Sequence, residues 1–252
     1  MDSRIELSNL GVKFRLYHDH SPSLKQMIAS IGRRKPRTFN DFWALNDVSF
    51  SIEHGERIGI VGHNGAGKST LLKTICGIYP PMRGSLNVKG RIAPLLEIGA
   101  GFQPELSGRD NIYLNGAILG FSRKLLENVE RDVIAFTELE EFIDTPVKYY
   151  STGMYMKLGF AIATAVPPEI LILDEMFAGG DASFVEKATA RMNRFIDQAS
   201  IMILVSHSMS LLKEMCDRVI WMEHGQVRGD GPVESIIDQY LESQHLIAQA
   251  SV

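Results

Sequence analysis

The sequence predicts an α/β fold with a largely parallel sheet, on three observations. "RIGIVG" (Arg57–Gly62), "EILILDE" (Glu169–Glu175) and "IMILVSH" (Ile201–His207) are apolar runs of strand length. Helix-like patterns alternate with such runs along the chain, the arrangement that builds parallel sheets. Each run stops at a glycine, a carboxylate pair or a histidine, and in open α/β sheets ligand chemistry gathers at the carboxyl ends of strands. The three endings are therefore expected at one edge.

Composition sets the bounds. With 252 residues and 45% hydrophobic content, the chain can bury a core as one globular domain or as one core with an inserted subdomain. No internal repeat is visible. A net charge of −4 gives no general attraction to nucleic acid or acidic lipid, so any basic surface must be local. Cys76 and Cys216 sit in helix-like apolar patterns without metal-ligand spacing, which predicts buried, reduced thiols and no disulfide. No charged-then-apolar leader opens the chain, and no apolar run approaches the ~18 residues of a membrane span, so it is expected in the cytosol.

Taken in order, the first unusual element is the segment 18–42. In "SLKQMIASI", Leu24, Met27, Ile28 and Ile31 form one helical stripe, and "GRRKPR" follows. An amphipathic helix with a basic tail suits a surface beneath anionic headgroups; a helix packed on its own sheet with a solvated charge run is the plainer alternative. "GHNGAGKST" (Gly62–Thr70) lies between a strand and the helical "KSTLLKTICGI", the context a phosphate loop requires. Gly62, Gly65 and Gly67 let the backbone curl so that N–H groups of the loop, which His63, Asn64, Ala66 and Thr70 complete, surround an anion at the positive end of the helix. Lys68 can reach the terminal phosphates of ATP or GTP, and Ser69 offers a hydroxyl to Mg²⁺.

"YYSTGMYMKLGFAIATAVPPEI" places Ser151 and Gly153 at the mouth of an apolar helix expected to end at Pro167 and Pro168. Its free N–H groups and the serine hydroxyl form a second phosphate site. One γ-phosphate needs only one such site per chain, so the economical reading is that this helix serves a nucleotide bound to another copy. Asp174 can hold Mg²⁺ through water, while Glu175 can polarise a water in line with the γ-phosphate. His207 can hydrogen-bond the γ-phosphate or that water; a strand-end histidine satisfied by backbone is the alternative. "SIIDQYLESQHL" reads as a terminal helix with Ile236, Ile237, Tyr240 and Leu241 on its apolar side.

"GHNGAGKST", "YSTGM", "ILILDE", "GGDASF" and "VSH", in this order and spacing, resemble the nucleotide-binding domain of ABC transporters over almost the whole chain. The resemblance implies a P-loop NTPase (RecA-like) core with an antiparallel β subdomain and an inserted α-helical signature subdomain. The core and β subdomain are expected over 1–98 and 167–230, the helical subdomain over 99–166, and a helical tail over 231–252. It further implies that Ser151 to Met154 sandwich ATP against the loop of the opposite subunit in a homodimer. Gln103, in "GAGFQPELSGRDN", matches the glutamine that contacts Mg²⁺ and links the site to the membrane partner, and Asp181 matches the D-loop aspartate. Phe14, in "GVKFRLY", matches the aromatic residue that stacks on adenine, with Tyr17 close behind.

The signature has tyrosine before the serine and methionine after the glycine, and the D-loop reads "GGD". These variants, with "PLLEIGAGFQPELSGRDNIYLNG" and "DRVIWMEHGQVRGDGP", resemble the polysaccharide-export branch, whose ATPase subunits serve O-antigen, capsular or teichoic-acid export. The O-antigen exporters are the nearest likeness. The implied partners are an integral membrane permease and, indirectly, a lipid-linked polysaccharide, with the chain on the cytoplasmic face of a bacterial inner membrane and no nucleic acid involved. Because the chain stops soon after the terminal helix, an appended carbohydrate-binding domain is not expected. A soluble ABC ATPase of DNA repair or translation is the rival from another class, but those usually carry two such domains or a long coiled-coil insertion, and this sequence has neither.

Overall fold

The computed structural model describes residues 2–17, 39–95, 99, 101–174 and 182–250. Residues 18–38 of the basic segment, Glu175 and Asp181 lie outside the described residues. The elements, in chain order, are β1 (Arg4–Tyr17), β2 (Phe39–Ile52), β3 (Arg57–Val61), α1 (Lys68–Ile75), β4 (Arg83–Lys89), β5 (Ile92–Leu95), α2 (Gly108–Ile118), α3 (Arg123–Thr137), a 3₁₀ turn at Val147–Tyr149, α4 (Thr152–Ala163), β6 (Ile170–Asp174), α5 (Ala182–Gln198), β7 (Ile201–Val205), α6 (Met209–Met215), β8 (Arg218–Glu223), β9 (Gln226–Pro232) and α7 (Val233–Ala250).

The strands form two sheets. One is antiparallel and three-stranded, ordered β2-β1-β4; the other is ordered β5-β6-β7-β3-β8-β9. In the second, the five strands from β5 to β8 run parallel and β9 returns as a hairpin on β8. The predicted parallel sheet is thus present. Its inner strands are continuous apolar runs because both faces are covered. Side chains alternate across such a sheet: Ile58, Ile60, Ile170, Ile172, Ile201 and Ile203 face α1 and the antiparallel sheet. Leu171, Leu173, Met202 and Leu204 face the opposite layer, which draws on α5, α6 and α7.

A third apolar cluster joins α2, α3 and α4 through Ile112, Val129, Val133, Leu158 and Ile162. Ser107 closes a capping box with Asp110 at the start of α2, and Ser122 and Ser151 cap α3 and α4. Helix α4 stops at Ala163, short of the expected Pro167 and Pro168. Its capping residue Thr164 turns its hydroxyl back to the Phe160 carbonyl at 2.8 Å, and the prolines hold the following chain extended. In α7, Ile236, Ile237 and Tyr240 are buried whereas Leu241 is exposed. Cys216 is buried and Cys76, at the end of α1, only partly so; both are free thiols. Burial pushes the Cys216 thiol up to about 12 and the Cys76 thiol up to about 11.

Candidate nucleotide site

Strand register brings the predicted endings together. Asp174 pairs with Val205, and Val205 with Ile60, so β6, β7 and β3 finish in one row. His207 follows Val205 by two residues and Gly62 follows Ile60 by two, which puts a carboxylate, an imidazole and the glycine loop at the same edge. β7 ends at Val205, so His207 stands just beyond the ladder.

The loop between β3 and α1 has the shape an anion needs. Gly62, Gly65 and Gly67 all have positive φ. A Cβ on Gly62 would lie 2.3 Å from the Met222 carbonyl, and one on Gly67 would lie 2.7 Å from the Ala44 carbonyl. Gly67 precedes α1 in a left-handed conformation, and no side chain caps the helix there. The first N–H groups of α1 therefore point outward at the loop with the positive end of the helix behind them. Lys68 is buried, and its ammonium donates to the Gly62 carbonyl at 2.6 Å and the His63 carbonyl at 3.2 Å. Ser69, Asn64 and Gly65 are exposed, while Ala66 is buried.

The turn joining β8 to β9 clasps this loop. Gly225 N–H donates to the Ala66 carbonyl at 2.9 Å, and Asn46 N–H donates to the Gly225 carbonyl at 2.8 Å. The His63 ring lies 4.9 Å from that of His224 in the same turn, while His63 Nδ1 is 2.7 Å from the Asn64 carbonyl. Neither Asn46 nor Gly225 was singled out from the sequence, since nothing local marks a contact made between backbone groups so far apart in the chain.

Gln103 is exposed but its backbone is fixed. Its N–H donates to Asn111 Oδ1 at 2.8 Å, and the Asn111 amide donates to the carbonyls of Gln103, Leu106 and Ser107. Asn111 is fully buried. Its only trace in the sequence is an asparagine inside a helix, a residue type that competes with the helical backbone and needs a reason to be there.

Ser151 and Gly153 are set by the helix cluster and not by sheet register, since α4 packs on α2 and α3. Ser151 Oγ accepts the Met154 N–H at 3.2 Å, which leaves its own proton to donate. Phe14 pairs across β1 and β2 with Phe42, and its ring meets Tyr79 edge-on at 5.2 Å. It packs against the core margin, while Phe42 is half exposed. Tyr17 closes β1.

The chain matches the ABC transporter family over residues 45–178. It is 40% identical over 248 residues to the O-antigen export system ATP-binding protein RfbB of Klebsiella pneumoniae, covering 96% of this chain and 99% of that one. It is 42% identical over 224 residues to RfbE of Yersinia enterocolitica, an O-antigen export system ATP-binding protein, covering 87% and 94%. The teichoic acids export ATP-binding protein TagH of Lactococcus lactis subsp. lactis is 40% identical over 237 residues, which are 94% of this chain and 50% of TagH. Among solved structures, the ATP-binding subunit of an ABC transporter superposes with a TM-score of 0.65 at 24% identity, covering 94% of this chain and 92% of that one. A dimeric ATP-binding cassette in a post-hydrolysis state, bound to ADP and Pi, gives 0.64 at 18% identity over 91% and 98%. These two likenesses bear on the fold. The family match spans the glycine loop, Gln103, Ser151 and Asp174, and with it the relatives that align over nearly all of the sequence show that the chain is an ATPase of the ABC transporter family.

Proposed function

We propose that the protein binds and hydrolyses ATP as the motor subunit of a permease that exports a lipid-linked polysaccharide, O-antigen in the first instance. The row Asp174, Val205, Ile60 carries the reading, because it sets a strand-end carboxylate in register with the strand that leads into a loop built for phosphate. The glycine positions that a Cβ would fill and the uncapped start of α1 fit a triphosphate. Ser69, Asp174 and Gln103 offer the oxygen ligands that Mg²⁺ takes, and the ion would offset charge on the β and γ phosphates.

The remaining roles belong to the chain. Lys68 neutralises the terminal phosphates, Glu175 orients the attacking water, and His207 hydrogen-bonds the γ-phosphate. Phe14 supplies an aromatic face to adenine. In a homodimer, Ser151 and Gly153 close over the partner's nucleotide, and Asp181 lies at that junction. ATP binding closes the pair and hydrolysis with product release opens it. An apolar cavity of about 380 Å³ lined by Phe102, the residue before Gln103, with Ile78, Tyr79, Ile118 and Leu119, offers the permease a seat. No described helix is long and apolar enough to cross a membrane; in this reading the translocation path belongs to the permease, with this chain at its cytoplasmic face.

RfbB and RfbE are named for O-antigen export and support that cargo; TagH, equally identical to this chain as RfbB, keeps teichoic acid as the second reading. Glu175→Gln tests the chemistry: turnover should fall by at least ~10²-fold while ATP stays bound. Undiminished turnover would remove Glu175 as the base. Deletion of the gene tests the cargo, since the polymer missing from the cell surface and accumulating inside names what is exported.

A further inference from the structure

We infer that Tyr155 is a positioning residue that carries the placement of the Gln103 loop to the N-terminus of α4. Its backbone N–H donates to the Ser151 carbonyl at 2.9 Å, so Tyr155 closes the first turn of the helix that begins at Ser151. Its hydroxyl donates to the Gly99 carbonyl at 2.9 Å, across 56 residues of sequence. Its ring stands edge-on to Phe102, with centroids 4.9 Å apart, and Phe102 is the residue before Gln103. One side chain therefore touches both the start of α4 and the loop that presents Gln103.

The other side of the contact is shaped for this ring. Gly99 has φ +77, and a Cβ there would sit 2.5 Å from Tyr155 Cε1. Glycine is thus needed twice, for the turn and for the approach of the ring. Asn111 pins Gln103 itself, so Gly99 and Phe102 are held by Tyr155 and the residue after Phe102 by Asn111. A shift of this loop cannot leave the first turn of α4 behind without breaking the Tyr155–Gly99 hydrogen bond and the Phe102 contact.

This inference rests on the proposed roles of Gln103 on the chain's own nucleotide and of Ser151 on the partner's. Given those, Tyr155 joins the two composite sites of a dimer through a single residue. Removing the hydroxyl should loosen that link without touching either nucleotide. Tyr155→Phe is expected to leave the KM for ATP within about twofold and lower kcat about tenfold, the scale of one hydrogen bond that counts in the closed state. Gly99→Ala should lower kcat further, because its Cβ meets the ring that Tyr155→Phe retains and strains the left-handed turn, and the double variant should be no better than Gly99→Ala alone.

The full-length chain, Tyr155→Phe, Gly99→Ala, the double variant and Ser151→Arg are to be compared by steady-state ATP hydrolysis and by thermal unfolding without nucleotide. A kcat loss in Tyr155→Phe at unchanged KM and unchanged midpoint supports the role. Wild-type kcat in Tyr155→Phe, while Ser151→Arg is inactive, overturns it and leaves the reading of Ser151 standing. A kcat loss that tracks a lowered midpoint overturns it in favour of plain stabilisation. Full activity in Ser151→Arg removes the reading on which the inference stands.

Discussion

Arg191 on α5 and Asp132 on α3 meet with Nη2 and Oδ2 2.5 Å apart, and the Arg191 side chain is only 11% exposed. The same guanidinium donates to the carbonyls of Ala161 and Thr164 at the end of α4 and lies 4.4 Å from the Phe136 ring centroid. α5 contributes Phe184, Met192 and Phe195 to the layer on the parallel sheet, while Asp132 stands on the helix cluster. One cation therefore ties the two together and satisfies carbonyls that α4 leaves open.

Arg191→Ala should destabilise the protein by about 2 kcal/mol, since it removes charge-assisted hydrogen bonds and a stacked cation but leaves Asp132 half in water. Arg191→Lys keeps the charge without the planar fork and should recover only part of the loss. Urea midpoints at neutral pH check both. Equal midpoints for wild type and Arg191→Ala would show that the contact adds nothing net.

A shared site has a signature in mixtures. Homodimers of Lys68→Ala and of Ser151→Arg should each be inactive, but each mixed dimer retains one composite site with an intact Lys68 and an intact Ser151. Hydrolysis recovered on mixing, with heterodimers verified by differential tags, is the expected outcome. Silent heterodimers would count against the sandwich or show that both sites must work together.

At Gly67 the backbone is left-handed, φ +105, and the Ala44 carbonyl blocks a Cβ. Gly67→Ala should therefore displace the loop from the β2 edge, weakening ATP binding by at least ~10-fold, as one strained left-handed residue and one steric clash each cost on the order of 1 kcal/mol or more. Isothermal titration with ATP decides it. Unchanged affinity would mean that the loop can move off Ala44 at no cost.

The thiols give a pH-dependent readout. Burial holds Cys76 protonated up to about 11 and Cys216 up to about 12. Their contribution to stability is fully present below the ordinary thiol value near 9 and is lost as pH rises toward about 11 for Cys76 and about 12 for Cys216. Maleimide labelling at pH 7.5 should be slow in the folded protein and fast in urea. Cys216 labelling at the unfolded rate in native buffer would contradict its burial.

Much of the fold was legible because it is periodic. "ILILD" and "IMILV" announce strands covered on both faces, and Ser151 ahead of an apolar run announces a helix cap. The phosphate loop was legible because glycines between a strand and a helix have few other uses. Tertiary pairings were not. Nothing near Tyr155 points to Gly99, nor near Arg191 to Asp132, since such contacts depend on how packed elements approach and not on local spacing. The β1 strand keeps its partner through register shifts between Leu7 and Lys13, which blur the alternation that would have marked it. Phe14 matched an adenine platform by position, yet its edge-on contact with Tyr79 comes from packing that sequence spacing does not report.

The clasp that Gly225 places on Ala66 also fixes when the phosphate loop can be finished during synthesis. The strand carrying the loop leaves the ribosome well before the β8–β9 turn that holds it. β3 likewise waits for β7 and β8, its neighbours on either side. Contacts of such long sequence separation form late and slowly. A nascent chain halted before residue 201 would carry an apolar central strand with both edges open, a species prone to aggregate and poor at holding nucleotide. Ribosome-bound intermediates of this protein are thus expected to need chaperone protection until β7, β8 and β9 have emerged, and nucleotide binding should follow the emergence of the β8–β9 turn.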